Sequence, residues 1–151
     1  MADTISSEQR SRNMSRIRSR DTKPEILVRS LLHASGFRFR LHVKDLPGKP
    51  DIVLPKYKTV IFVHGCFWHQ HPGCRRSTMP STRTEYWQPK LKANANRDKL
   101  HRATLIDLGW NVKVVWECET GNLPKLTEKL TESFHQMLPK SERERMTRFL
   151  S

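Results

Sequence analysis

Between Val60 and Cys74 the chain reads VIFVHGCFWHQHPGC, and within it His64, Cys66, His69, His71 and Cys74 are all side chains that bind metal ions. A closed tetrahedral zinc site uses four such ligands. The third cysteine, Cys118, follows the last predicted strand and can return to this loop. Cys66, Cys74 and Cys118 then supply three thiolates. His71 is the natural fourth ligand, nearest Cys74 through the Pro72–Gly73 turn, which gives a Cys3His site for one zinc ion. Three unrelated buried thiols are the simpler reading of the cysteines alone. However, residues 65–83 show no hydrophobic period and are rich in Gly, Pro, Ser and Thr, so something other than an apolar core must order them. With no open ligand position the zinc is structural, and His64 and His69 are left over. An isolated histidine is most simply a residue making one hydrogen bond.

The rest of the composition narrows the setting. Lys and Arg outnumber Asp and Glu by 28 to 15, a formal charge of +13 over 151 residues. That excess is expected of a single domain that neutralises nucleic-acid phosphates. No apolar run approaches the ~20 residues of a membrane span. The first residues contain no apolar signal core, and three cysteines fit no disulfide framework. The expectation is a cytoplasmic protein without membrane contact.

Several elements must position these side chains. Residues 1–20 are polar and Arg-rich, an arm that carries Arg12, Arg16 and Arg18. From Thr22 a helix is predicted, with a Thr22–Glu25 capping box, Pro24 in its first turn, a buried stripe of Ile26, Leu27, Leu31 and Ala34, and a stop at Gly36. Phe37, Phe39, Leu41 and Val43 alternate with Arg38, Arg40 and His42 as a half-exposed strand. The DIVL and TVIFV runs form an antiparallel pair across the Pro55–Lys58 turn. A helix runs from about Thr84 to Leu108 with Pro89 near its first turn, and WNVKVVWEC is a further strand. A closing helix then buries Leu126, Leu130, Phe134 and Met137. The order predicts an α/β fold with a mixed sheet flanked by helices. An arm (1–20), a main domain (21–138) and a charged tail (139–151) are the expected divisions.

PGKPD followed by VIFVHGCFWH resembles the very-short-patch repair endonucleases, which nick DNA at T·G mismatches left by deamination of 5-methylcytosine. RSRNMSRIRSRDTKPE, STRTEYW, NANRD and LGWNVKVVWEC extend the likeness over residues 10–120. The resemblance implies a restriction-endonuclease-like core. It differs from the general pattern of that core, because the strand after Pro50-Asp51 reads Phe62-Val63-His64, with no acid and no lysine. It implies magnesium, two ions sharing the Asp51 carboxylate, with Val63 giving only its backbone carbonyl. It also makes His69 the general base, His64 a supporting residue, and Glu25 and Asp98 the remaining active-site acids. The zinc ligands Cys66, His71, Cys74 and Cys118 carry over unchanged.

On a basic protein, adjacent Phe67 and Trp68 in a zinc-pinned loop read as wedges for a base stack, where unstacking is easiest at a mismatch. The likeness adds Met14 from the arm, entering the opposite groove. Lys49, Arg75, Arg76 and Arg83 are further phosphate contacts, while Trp87 and Trp116 read as core. The leading expectation is a monomeric, strand-specific endonuclease that nicks 5′ to the T of T·G pairs. It would act alongside a cytosine-5 methyltransferase and downstream repair proteins. A nicking or restriction-type enzyme acting on paired DNA is the alternative, and a zinc-stabilised binding module without catalysis is a third reading.

Overall fold

A computed structural model describes residues 21–135 of the chain. Arg12, Met14, Arg16, Arg18 and Met137 lie outside the described residues, as do the arm and the charged tail. Four strands form one mixed sheet in the order β1 (Arg40–Leu41), β2 (Ile52–Leu54), β3 (Thr59–His64), β4 (Asn111–Trp116). β1–β2 and β2–β3 are antiparallel, the latter with Val53 opposite Val60. β3 and β4 run parallel from Thr59↔Asn111 to His64↔Trp116. A parallel pair needs a crossover, and here the Cys- and His-rich loop after β3 and helix α2 (Thr84–Asp107) provide it. The β2–β3 pairing and its turn follow the sequence expectation, with Lys58 taking the left-handed conformation that closes the turn.

Two apolar clusters lie against the sheet. In one, Val28 and Leu32 of α1 (Lys23–Ala34) and Leu126, Leu130 and Phe134 of α3 (Leu123–His135) meet Ile52, Leu54, Ile61 and Val115. In the other, Leu105 of α2 covers Val53, Val60 and Phe62. Burial of each large side chain contributes ~1.5–3 kcal/mol. Phe134 is fully buried against Phe37 and Tyr57, whereas Leu100 on α2 is 65% exposed. Phe134→Ala is therefore expected to cost ~3–5 kcal/mol in denaturant unfolding, and Leu100→Ala less than ~0.5 kcal/mol. Equal costs would contradict this placement of the core. Among the described residues no helix is long and apolar enough to cross a membrane.

Two expectations are corrected. The strand predicted over 37–43 shrinks to Arg40–Leu41, because His42 takes φ 48° and donates its N–H to the Asp51 carbonyl at 3.1 Å. A left-handed residue ends strand alternation, and Leu41 is left 40% exposed. The buried stripe of α1 is also rotated. It runs through Glu25, Val28 and Leu32, while Ile26 is 47% exposed and Ala34 faces solvent. A periodicity reading places a carboxylate outside by default, but here that carboxylate faces inward and has partners.

Candidate active site and metal centre

The N-terminal end of β2 and the C-terminal end of β3 are neighbours because the strands are antiparallel. An open cleft of ≈ 1010 Å³ lies over this junction, lined by Glu25, Asp51, Val63, His64, His69 and Asp98 among others. All the residues that the resemblance marks as catalytic thus meet in one place. Asp51 Oδ2 accepts a hydrogen bond of 2.7 Å from the Val63 N–H. Within a strand, the N–H and C=O of one residue leave on the same side, so the Val63 carbonyl also leaves toward β2. Burial raises the Asp51 carboxyl from its ordinary 3.8 to about 7; the Val63 N–H opposes the rise, and the neighbouring Glu25 carboxylate adds to it. Two carboxyl groups and a backbone carbonyl are hard oxygen donors, the chemistry that suits magnesium.

Opposite Asp51, His69 Nδ1 lies 2.6 Å from Asp98 Oδ2. With the proton on Nδ1 donated to Asp98, Nε2 is left as the basic nitrogen. The helix places Asp98 there, and α2 is held against the loop by Asn94, whose amide donates to the Trp68 carbonyl at 3.3 Å. His64 stacks on His69 with ring centroids 3.9 Å apart and 6° between planes. Burial, then the His69 ring and Arg102, depresses His64 to about 3, so its imidazole is neutral. Gly48, in the turn before Asp51, needs a positive φ of 75°, and a Cβ there would meet His101 Cβ of α2 at 2.9 Å. The Pro-Asp strand start and the helix carrying Asp98 are therefore packed directly together.

The cysteine cluster lies beside this cleft. Cys66, His71, Cys74 and Cys118 each present a ligand atom, all within 4.8 Å of one another. Tetrahedral Zn–S bonds of ~2.3 Å separate thiolates by ~3.8 Å, so this donor set fits zinc. Cys66 is fully buried, and burial pushes its thiol up to about 12, while the Arg76 backbone N–H draws Cys74 down. Cys118 Sγ lies 3.5 Å from His71 Nδ1, and Cys66 Sγ accepts from the Cys118 N–H at 3.4 Å. Trp116 links the two regions, stacking on His71 at 4.2 Å and meeting His64 edge-on at 5.3 Å.

Over 139 residues the chain is 45% identical to DNA mismatch endonuclease Vsr of Escherichia coli (strain K12), spanning 91% of this chain and 88% of that protein. The family model described as DNA mismatch endonuclease Vsr matches residues 2–76. The chain belongs to the Vsr family of DNA mismatch endonucleases. The Vsr family hydrolyses DNA phosphodiester bonds. The chain is also 53% identical over 130 residues to type II nicking enzyme V.XorIIP of Xanthomonas oryzae pv. oryzae (strain KACC10331 / KXO85), covering 86% of this chain and 95% of that protein. Its identity to type II nicking enzyme V.NmeAIP of Neisseria meningitidis serogroup A / serotype 4A (strain DSM 15465 / Z2491) is 45% over 130 residues, or 86% and 92% of the two chains.

The aromatic residues of this Vsr-family chain correct one further expectation. Phe67 and Trp68 are half-buried and pack edge-on at 5.2 Å, and Trp87 of α2 joins them at 5.5 and 5.8 Å. Trp87 therefore belongs to this half-buried cluster and, like Trp116, to neither apolar core. Its sequence signal was its polar setting in TEYWQPK, which no buried stripe explains. Lys90 stands 5.6 Å from the Trp68 ring and Arg83 5.3 Å from that of Tyr86. Lys49 lines the cleft, Arg75 is exposed, and Arg76 is paired to Glu117 at 2.8 Å. Sequence reasoning also missed His42 and Arg102 at the cleft, since neither stands in a spacing that marks chemistry.

Proposed function

We propose that this chain nicks duplex DNA 5′ to the T of T·G mismatches produced by 5-methylcytosine deamination, using magnesium at Asp51 and a structural zinc. The observation that carries this reading is the cleft itself, in which Asp51, Val63, His64, His69, Glu25 and Asp98 face one space beside an aromatic cluster. Asp51 and the Val63 carbonyl would hold magnesium, with two ions expected. Its Lewis acidity would neutralise charge building up on the phosphate and the leaving oxygen. His69 Nε2 takes the proton of the attacking water while Asp98 retains the Nδ1 proton, fixing tautomer and ring plane. His64, neutral and stacked on His69, supports that ring and contacts the scissile phosphate. Glu25 orients water at the Asp51 side. Cys66, His71, Cys74 and Cys118 would hold one zinc that orders the loop.

Phe67, Trp68 and Trp87 are the wedge on one groove, and Met14 enters from the other. Wobble geometry is then sensed through deformability as well as base edges. The arm (1–20) clamps phosphates through Arg12, Arg16 and Arg18. The endonuclease domain (21–138) adds Lys49 and Arg75, and residues 139–151 form the tail. We read the fold as a restriction-endonuclease-like core, a reading supported by the mixed sheet with Pro50-Asp51 leading β2. We place the protein in the bacterial cytoplasm as a monomer, in the service of a cytosine-5 methyltransferase and upstream of short-patch repair proteins.

The test uses duplexes labelled on either strand, carrying T·G or T·A, with magnesium. The expected result is a nick in the T strand alone, 5′ to the T, in T·G duplexes only. Equal cutting of T·A duplexes would replace this reading with that of a nicking or restriction-type enzyme, which the names of two relatives favour. Binding without any cutting would overturn both. Deleting residues 1–20 should weaken binding and flatten the plot of log affinity against log salt by ~2–4 units, at ~0.9 per lost phosphate contact. An unchanged slope would refute the clamp.

A further inference from the structure

Glu25 sits on the cleft wall and is only 2% exposed. A buried carboxylate persists in its charged form only when it is paired and hydrogen-bonded. Its Oε2 accepts from the Asp21 N–H at 2.9 Å and from Arg29 Nη2 at 3.0 Å, one helical turn on. The same Nη2 lies 2.7 Å from Asp21 Oδ1 and 3.0 Å from His42 Nε2. One nitrogen thus serves three groups, while Arg29 Nε is buried with no protein partner among the described residues. That geometry does not optimise the hydrogen bonding of the guanidinium itself. It places one positive charge between Asp21, Glu25 and His42, where a metal ion would otherwise fit.

His42 fixes the other end of this arrangement. His42 Nε2 also lies 3.5 Å from Asp21 Oδ1 and 3.7 Å from Glu25 Oε2, so the ring belongs to the same cluster; arginine only donates, and Nε2 accepts from Arg29 when the ring proton is on Nδ1. The His42 backbone, in the left-handed conformation that non-glycine residues seldom take, donates its N–H to the Asp51 carbonyl at 3.1 Å. Arg29 and His42 therefore connect the Glu25 carboxylate to the backbone of Asp51 through three polar contacts. Strain retained at such a residue is a signal of function where the surroundings over-determine it.

We propose that Arg29 and His42 are positioning residues for the nicking reaction: they hold the Glu25 carboxylate, oriented toward Asp51, in the cleft. The proposal rests on the reading of Glu25 as an active-site acid. In single-turnover nicking of a T·G duplex, Arg29→Met is expected to lower kcat by ~10²-fold, with the KM for DNA changed less than twofold. Arg29→Lys should recover most of that loss, because one ammonium nitrogen can make the contacts that one guanidinium nitrogen makes here. The deciding arm is a double-mutant cycle with Glu25→Gln. If Arg29 acts through Glu25, adding Arg29→Met to Glu25→Gln costs little further. Additive losses, a KM effect equal to the kcat effect, or no rescue by lysine would each overturn the proposal. If Glu25→Gln alone leaves nicking intact, the reading of Glu25 as an active-site acid fails instead, and the proposal with it. If Arg29→Met loses its cooperative unfolding transition, His42→Ala takes its place in the same cycle. It keeps the Arg29–Glu25 pair, and its loss of ~5-fold or more should again vanish in the Glu25→Gln background; additivity would overturn the proposal.

Discussion

Asp51→Asn is expected to lower nicking of a T·G duplex by ~10³-fold or more, since on the proposed mechanism several kcal/mol of charge stabilisation at the phosphate would depend on that carboxylate. The same substitution should stabilise the protein in magnesium-free buffer. Burial lifts the Asp51 carboxyl to about 7 in the folded chain, against 3.8 when it is free in water. Between those values the folded state binds more protons than the unfolded state, so stability falls as pH rises through that window. Asparagine removes the slope. Thermal unfolding at pH 8 without magnesium should then occur on the order of 5 °C higher in Asp51→Asn than in the parent protein, with little difference near pH 4. Magnesium should raise the transition of the parent and not of the variant. A variant that nicks within tenfold of the parent, or that is less stable at pH 8, would remove Asp51 from the centre of the mechanism.

Cys118→Ala carries the second large effect. Cys118 follows β4, and its thiol is the one member of the Cys66–His71–Cys74–Cys118 cluster from outside the loop. Losing it should release most of the zinc, lower the unfolding transition by ~10 °C or more, and reduce nicking by at least ~10²-fold although no catalytic group is altered. The route is geometric. His71 stacks on Trp116, Trp116 meets His64, and His64 stacks on His69. A loop free to move displaces both histidines from Asp51, and a misplacement of ~1 Å can cost 10²-fold. A variant retaining zinc and its unfolding transition would show the cysteines to be independent thiols.

Most of this architecture was legible from residue pattern. The β-branched runs of β2 and β3, buried on both faces, the run of β4 and the Leu126–Leu130–Phe134 stripe announced themselves through their apolar pattern. Cys66, His71, Cys74 and Cys118 could be grouped from ligand number and from the nearness of His71 to Cys74, and the structure brings them within 4.8 Å. What periodicity misread were positions where polar contacts override it. Glu25 turns inward because Asp21 and Arg29 satisfy it, and His42 breaks its strand to bond Asp51. Trp87 looked like core because an isolated tryptophan on a helix usually is; only the folded loop shows Phe67 and Trp68 waiting beside it. The role of each catalytic residue came from family resemblance, since no spacing in the chain links Asp51 to His69 or Asp98.

One segment, Val60–Cys74, is expected to serve two metals with separate duties. Metal analysis joined to nicking tests it most directly: protein gel-filtered into magnesium-free buffer is assayed for zinc and magnesium, then for nicking before and after magnesium is added. The expected result is about one zinc per chain, no retained magnesium, no nicking until magnesium is supplied, and unchanged zinc afterwards. Zinc well below one per chain in active protein, or nicking that follows zinc and ignores magnesium, would contradict it.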